Sequence, residues 1–132
     1  MTQRPMNEFQ KATLACRREY ERVPFAKKLT IKDMASGQEF EANGIDISVK
    51  GIGFYSKKFF SKDSRIAIQV WLDDDAQKDP VWINGVVRWA KLEQDGAVAG
   101  CQFDNLIKPA EHPRLYEMIY SVMRLLLGAI IL

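Results

Sequence analysis

Three arginines, Arg17, Arg18 and Arg22, lie within six consecutive residues near the N-terminus. A guanidinium group grips a phosphate with two parallel hydrogen bonds and also stacks on flat ring systems. Arg18 and Arg22 are four residues apart, so a helical turn or a bent loop brings both to one ligand. Glu19 and Glu21 are interleaved with them, so a solvated patch of ion pairs is the alternative interpretation.

A second group of polar residues follows farther along the chain. Its alternating pattern predicts a strand with Asp46 and Ser48 on one face and Ile45 and Ile47 on the other. A carboxylate and a hydroxyl spaced in this way can hydrogen-bond the amine-bearing edge of a purine, guanine in particular. Gly51 then allows a tight turn or the close approach of a ligand. The same residues also form common turns, so a purely structural role stays open.

The elements that must position these residues are short strands separated by turn residues. Six such strands favour a small antiparallel β-barrel or sandwich, and we favour the barrel because closure removes exposed edges. The predicted fold class is therefore mainly β, a six-stranded antiparallel barrel. The predicted strands cover residues 26–32, 39–47, 51–55, 65–72, 81–91 and 97–103, with turns at 36–38 and 94–96 and an acidic loop at 73–75.

The two ends of the chain predict helical structure. Residues 1–16 indicate a short helix or an ordered arm, and residues 108–132 an amphipathic C-terminal helix. Pro109 and Pro113 suit its first turn and Gly128 its end. One face is expected to cover the barrel, and the other is either buried too or meets a partner or a second copy. The main apolar stripe consists of Leu115, Met118, Ile119, Val122 and Leu126, flanked by Tyr116, Tyr120, Met123 and Leu127.

Taken together, these features resemble the PilZ domain family. That family carries an RxxxR motif, present here from Arg18 to Arg22, and a later (D/N)xSxxG motif, present from Asp46 to Gly51. The apolar step at 23–25 and the segments GVVRW and GCQF also resemble it. The resemblance covers roughly residues 16–107, and it predicts a PilZ-like split barrel including the arginine arm over residues 17–107.

The resemblance implies a non-catalytic receptor for cyclic di-GMP, a bacterial second messenger. Arg18 and Arg22, assisted by Arg17, are expected to bind phosphate and guanine faces, while an arm closes over the outside of the barrel. Trp89 is a candidate stacking surface for a guanine, although packing in or beside the barrel is the simpler interpretation. An unidentified downstream protein is expected to read the changed surface. The implied ligand-binding residues are Arg17, Arg18, Arg22, Asp46, Ser48 and Gly51.

The charge distribution favours a local anion site. The net charge is +2, but residues 1–32 carry eight basic and three acidic side chains. A basic segment on a mildly acidic body is not the surface of a protein that coats nucleic acid, so no nucleic acid polymer is expected as a partner. Two alternatives stay open. One is a PilZ-fold protein-interaction module whose nucleotide site is unused, and the other is a small barrel that binds RNA or single strands.

The remaining residue types argue against an enzyme. With His112 as the single histidine, the sequence offers no metal-ligand set and no nucleophile with its base, so neither metal nor cofactor is expected. Cys16 and Cys101 form no disulfide framework, which predicts reduced thiols in a cytoplasmic protein. No secretory signal is visible, and the apolar residues 125–132 are too short to form a transmembrane segment.

Overall fold

The computed structural model of the protein describes residues 22–71 and 80–131, with side chains described up to residue 126. Arg17, Arg18, the predicted arm at 1–16 and the acidic loop at 73–75 lie outside the described residues. The described elements are the strands β1 (Val23–Pro24), β2 (Lys28–Asp33), β3 (Glu39–Ile47), β4 (Gly51–Ser56), β5 (Arg65–Val70), β6 (Val81–Glu93) and β7 (Gly96–Phe103), and the helix α1 (Pro113–Ile131).

The described strands form a closed antiparallel barrel. Their order is β1-β3-β2-β5-β6-β7-β4, and β3 also pairs with β4, which closes β2 to β7 into a ring of six. This confirms the predicted six-stranded antiparallel barrel. The two-residue strand β1 was not predicted. It pairs with the last residues of β3, beyond the point where the pairing of β2 with β3 ends.

Alternating side chains build the core of the barrel. In β2, Leu29 and Ile31 are buried between half-buried or exposed neighbours, and in β5 Ile66, Ile68 and Val70 are fully buried. Branched residues favour this arrangement because they pack well on a pleated surface with one face turned inward. These residues form one continuous apolar cluster, which fixes the strands that carry the outward-facing side chains.

Two β-bulges interrupt the alternation, and both lie beside the predicted site. In β3 the register with β4 shifts between Gly44 and Asp46, and Ile45 is 44% exposed. The prediction that Ile45 shares the inward face with Ile47 is therefore wrong, because the bulged residue turns outward. In β6 the register with β7 shifts between Val87 and Trp89.

The C-terminal helix covers the barrel with one stripe. Helix α1 lies against β1, and Leu115, Ile119 and Met123 are its buried residues. It begins at Pro113, not at Pro109, and continues through Gly128, so the prediction that Gly128 ends the helix is wrong. Leu126, predicted in the buried stripe, is 41% exposed.

Among the residues that the structure describes, no helix has the length and apolar character needed to cross a membrane.

Candidate functional site

The end of the arginine motif meets the second polar group through a direct ion pair. Arg22 Nη1 donates a hydrogen bond to Asp46 Oδ1 over 2.7 Å. Arg22 is placed there by the next residues, because Val23 pairs with Ile47 and is almost completely buried. Phe25 is buried as well and donates its backbone N–H to the carbonyl of residue 45. The apolar step after the arginines thus anchors Arg22 beside Asp46.

The position of Asp46 depends on a glycine in the neighbouring strand. Asp46 pairs with Gly53 of β4, and a Cβ atom at Gly53 would lie 2.7 Å from Asp46 Oδ1. That separation is shorter than real side-chain contacts, so a side chain at Gly53 would displace the carboxylate from its place across β4. The bulge in β3 turns Asp46 outward, and Gly53 lets its carboxylate lie against the barrel wall.

Ser48 lies beyond the end of β3 and forms the turn into β4. It is 2% exposed, and its Oγ accepts hydrogen bonds from the backbone N–H groups of Lys50 and Gly51 at 3.1 and 3.2 Å. Its own N–H donates to the carbonyl of Gly51. The prediction that Ser48 shares a strand face with Asp46 is wrong, because the strand ends at Ile47. Both lone-pair directions of the hydroxyl are used, so only its O–H is left to donate to a ligand.

Gly51 is required by the close approach of a neighbouring strand. A Cβ atom there would collide with the backbone carbonyl of Cys101 on β7. Gly51 therefore shapes the turn through its close contact with the neighbouring strand β7.

A cleft of about 240 Å³ collects these residues on the outside of the barrel. Arg22, Ser48 and Gly51, all predicted ligand-binding residues, line one side. Asp46 holds Arg22 at the margin of the cleft through their ion pair. The other side is lined by Trp89, a candidate stacking surface from the sequence, and by Arg88 and Gln102, which the sequence did not indicate.

The bulge in β6 explains why Arg88 was not predicted and why Trp89 faces the cleft. Val87 pairs with Cys101 and Trp89 with Gly100, so Arg88 is the extra residue. Strict alternation would turn Trp89 inward with Val87, but the bulge leaves Trp89 49% exposed. The signal in the sequence was a bulky Trp89 opposite a glycine, because a Cβ atom at Gly100 would collide with the indole ring.

The registers place four of these positions in one row across the barrel wall. Asp46 pairs with Gly53, Gly53 with Gly100, and Gly100 with Trp89. Two glycines thus separate a carboxylate at one end from an indole at the other. The Asp46 carboxylate and the Trp89 indole lie over these two glycines, so the row presents a carboxylate and a flat ring on the outer wall of the barrel.

The lining of the cleft is cationic, and the thiol beneath it is a poor nucleophile. Arg22, Lys50 and Arg88 contribute positive charge to its lining. Cys101 lies beneath it, and burial, followed by the negative charge of Asp104, raises the pKa of this thiol to about 12. A thiol that stays protonated is a poor nucleophile. Within residues 22–71 and 80–131, no group of three or more metal-ligating side chains occurs.

Comparisons with known proteins agree on one family. The family model for the PilZ domain matches residues 17–121, and the chain therefore belongs to the PilZ domain family. This confirms the resemblance read from the sequence. No curated sequence matches the chain.

Solved structures of PilZ proteins share its fold. The inhibitor of motility MotI (DgrA) of Bacillus subtilis superposes with a TM-score of 0.63 at 15% identity, covering 85% of this chain and 52% of that protein. The PilZ domain of YcgR from Escherichia coli, solved with c-di-GMP, gives a TM-score of 0.59 at 17% identity and covers 82% and 92%. MrkH of K. pneumonia in complex with c-di-GMP gives 0.52 at 19% identity, covering 87% and 53%. This chain thus spans about half the length of MotI and MrkH.

Proposed function

We propose that this protein is a non-catalytic receptor for cyclic di-GMP that passes the signal to a partner protein. Arg17, Arg18 and Arg22 bind the phosphates and guanine faces. Asp46 accepts hydrogen bonds from a guanine edge. Ser48 donates a hydrogen bond from its hydroxyl to the ligand, and Gly51 shapes the turn beneath it.

The contact between Arg22 and Asp46 is the observation that carries this proposal. The two residues are 24 positions apart in sequence and belong to separate motifs, yet their side chains meet at 2.7 Å. A carboxylate has about four acceptor positions. Oδ1 accepts from Arg22, so the carboxylate is oriented by that bond and keeps acceptor capacity for the N–H groups of a guanine.

Charge explains why the arginines are concentrated here. Each phosphate of the ligand is negatively charged, and a hydrogen bond to a charged group contributes about 1.5–3 kcal/mol. Several such bonds offset the backbone entropy of ordering the arm, about 1–2 kcal/mol for each residue fixed. The ligand binds the closed state of the arm more tightly than the open state, so it shifts the population toward the closed state. The closed arm then presents a new surface to the downstream protein.

Isothermal titration calorimetry with cyclic di-GMP, and with GTP as the control ligand, tests the proposal. We expect micromolar or tighter binding of cyclic di-GMP and none of GTP. Arg18→Ala and Arg22→Ala should each weaken binding by roughly 10-fold or more, the loss of one charge-assisted contact. Lys32→Ala is the matched control, because β2 lies opposite β7 in the ring of six strands.

The other outcomes separate the alternatives. Equal heat with both ligands would mean a generic anion patch. An absence of heat with either would leave a PilZ-fold protein-interaction module whose nucleotide site is unused.

A further inference from the structure

The guanidinium of Arg88 is held in the cleft by one specific contact. Arg88 Nε donates a hydrogen bond to Gln102 Oε1 over 2.9 Å. Gln102 lies on β7 between two register partners, Gly51 of β4 and Val86 of β6. Its amide therefore stands in the cleft between the turn at Gly51 and the bulge at Arg88.

Holding Arg88 by Nε leaves the outer end of the guanidinium available. The terminal nitrogens Nη1 and Nη2 form the fork that binds two oxygens of one phosphate. Within the described part of the chain, Arg88 makes no other side-chain hydrogen bond. This bond is exposed and water competes for both of its partners, so its net contribution to stability is small and the fold gives no strong reason for it.

We infer that Arg88 is a further phosphate-binding residue of the nucleotide site and that Gln102 is its positioning residue. This inference rests on the proposed function and extends it to a part of the barrel outside both sequence motifs. Arg22 and Arg88 line the same cleft, with β3, β4 and β7 between them in the sheet. A ligand with more than one phosphate then meets a fixed cation on the barrel wall as well as those of the arginine arm.

The bulge in β6 is the device that makes this possible. It turns Arg88 and Trp89 to the outer face together, while Val87 stays completely buried. A regular strand can present only one of two consecutive residues to that face. The bulge thus adds a cation and an aromatic ring to the same wall of the cleft.

A double-mutant cycle measured by calorimetry with cyclic di-GMP tests the inference. Arg88→Gln should weaken binding roughly 10- to 100-fold, the effect of losing a charge-assisted bond. Gln102→Met keeps the side-chain length but removes the acceptor, and it should weaken binding several-fold. In the double variant the effect should equal that of Arg88→Gln alone, because Gln102 acts only through Arg88. Thermal unfolding midpoints should stay close to that of the wild type.

Lys32→Gln removes the same charge on the opposite side of the barrel and is expected to bind like the wild type. Wild-type affinity in Arg88→Gln would overturn the inference and leave the proposed function intact. So would a loss in Lys32→Gln as large as that in Arg88→Gln, because the effect would then come from net charge. An undiminished effect of Gln102→Met in the Arg88→Gln background would overturn the positioning role. If the wild type itself binds no cyclic di-GMP, the proposed function fails and the inference fails with it.

Discussion

At the scale of single residues, the glycines of the outer wall lie against different kinds of group. A Cβ atom at Gly51 would collide with the backbone of β7. At Gly53 and Gly100 it would instead collide with the side chains of Asp46 and Trp89. A backbone carbonyl in a paired strand cannot move without breaking the ladder. A half-exposed indole can rotate away. The same substitution should therefore have different consequences at the two kinds of position.

We expect Gly51→Ala to destabilise the fold and Gly100→Ala to leave it nearly unchanged. The first forces β4 and β7 apart and should lower the free energy of unfolding by about 1–3 kcal/mol, as overpacking does. The second displaces the Trp89 ring and should cost less than about 0.5 kcal/mol. Chemical denaturation measures both values.

Tryptophan fluorescence then reports whether the ring has moved. Gly100→Ala should change the emission spectrum of the wild type, but not that of a Trp89→Phe variant, in which Trp71 and Trp82 provide the background. A large loss of stability in Gly100→Ala would show that the indole is fixed where it lies.

Cys101 is expected to make the free energy of unfolding fall as the pH rises into the alkaline range. Its pKa is raised from 9.0 to about 12 in the folded state, chiefly by burial. Above pH 9 the unfolded chain releases the thiol proton and the folded chain keeps it, so unfolding becomes easier as the pH rises toward 12. Between about pH 8 and pH 10 the wild type should lose about 1.4 kcal/mol more than Cys101→Ala, in which the group is absent.

Urea unfolding of both proteins at the two pH values measures this difference. Lysines and tyrosines titrate in both proteins, so their effects cancel in the comparison. Parallel pH dependences would mean that the thiol is ionised in the folded state as well.

At the scale of secondary-structure elements, regular patterns were predictable and their interruptions were not. The alternation in β2 and β5 predicted both strands, because each inward residue contributes to one continuous core. The bulges at Ile45 and Arg88 changed which side chains face outward. A bulge depends on how two strands fit together, so one strand's sequence does not reveal it. The two motifs thus indicated Arg22, Ser48 and Gly51, which line one cleft, whereas the sequence did not indicate Arg88 and Gln102.

The helix α1 offers a test of which apolar residues cover the barrel. Leu115 is completely buried and Leu125 is 74% exposed, although both are leucines of one helix. Leu115→Ala should lower the free energy of unfolding by about 2–5 kcal/mol, the range for a buried leucine. Leu125→Ala should change it by less than about 0.5 kcal/mol in dilute protein.

Denaturation at two protein concentrations makes this comparison informative about assembly. A loss in Leu125→Ala that appears only at high concentration would show that the exposed residue meets a second copy, because association stabilises the folded state by mass action. Light scattering at the same concentrations gives the mass directly. Equal losses in both variants at every concentration would contradict the described packing of the helix.

At the scale of the whole molecule, positive charge is separated from a mildly acidic body. Residues 1–32 carry a net charge of about +5 within a total of +2, so the remainder is negative. Within that basic segment, Arg22 forms an ion pair with Asp46 of the acidic remainder. The pair joins a residue proposed to hold phosphate to one proposed to read a base, and these roles differ in their response to salt.

Raising the salt concentration from about 0.1 M to about 1 M should therefore distinguish the two residues. The Debye length falls from about 10 Å to about 3 Å over this range, which screens exposed charges. Binding of cyclic di-GMP to the wild type should weaken with salt, and Arg22→Ala should weaken less steeply because one phosphate contact is already lost. Asp46→Ala should bind more weakly at every salt concentration but keep the full salt dependence, since it leaves Arg22 without its carboxylate and available to phosphate. If calorimetry shows a flattened salt dependence in Asp46→Ala as well, the carboxylate acts by holding Arg22 in place and not by reading a guanine edge.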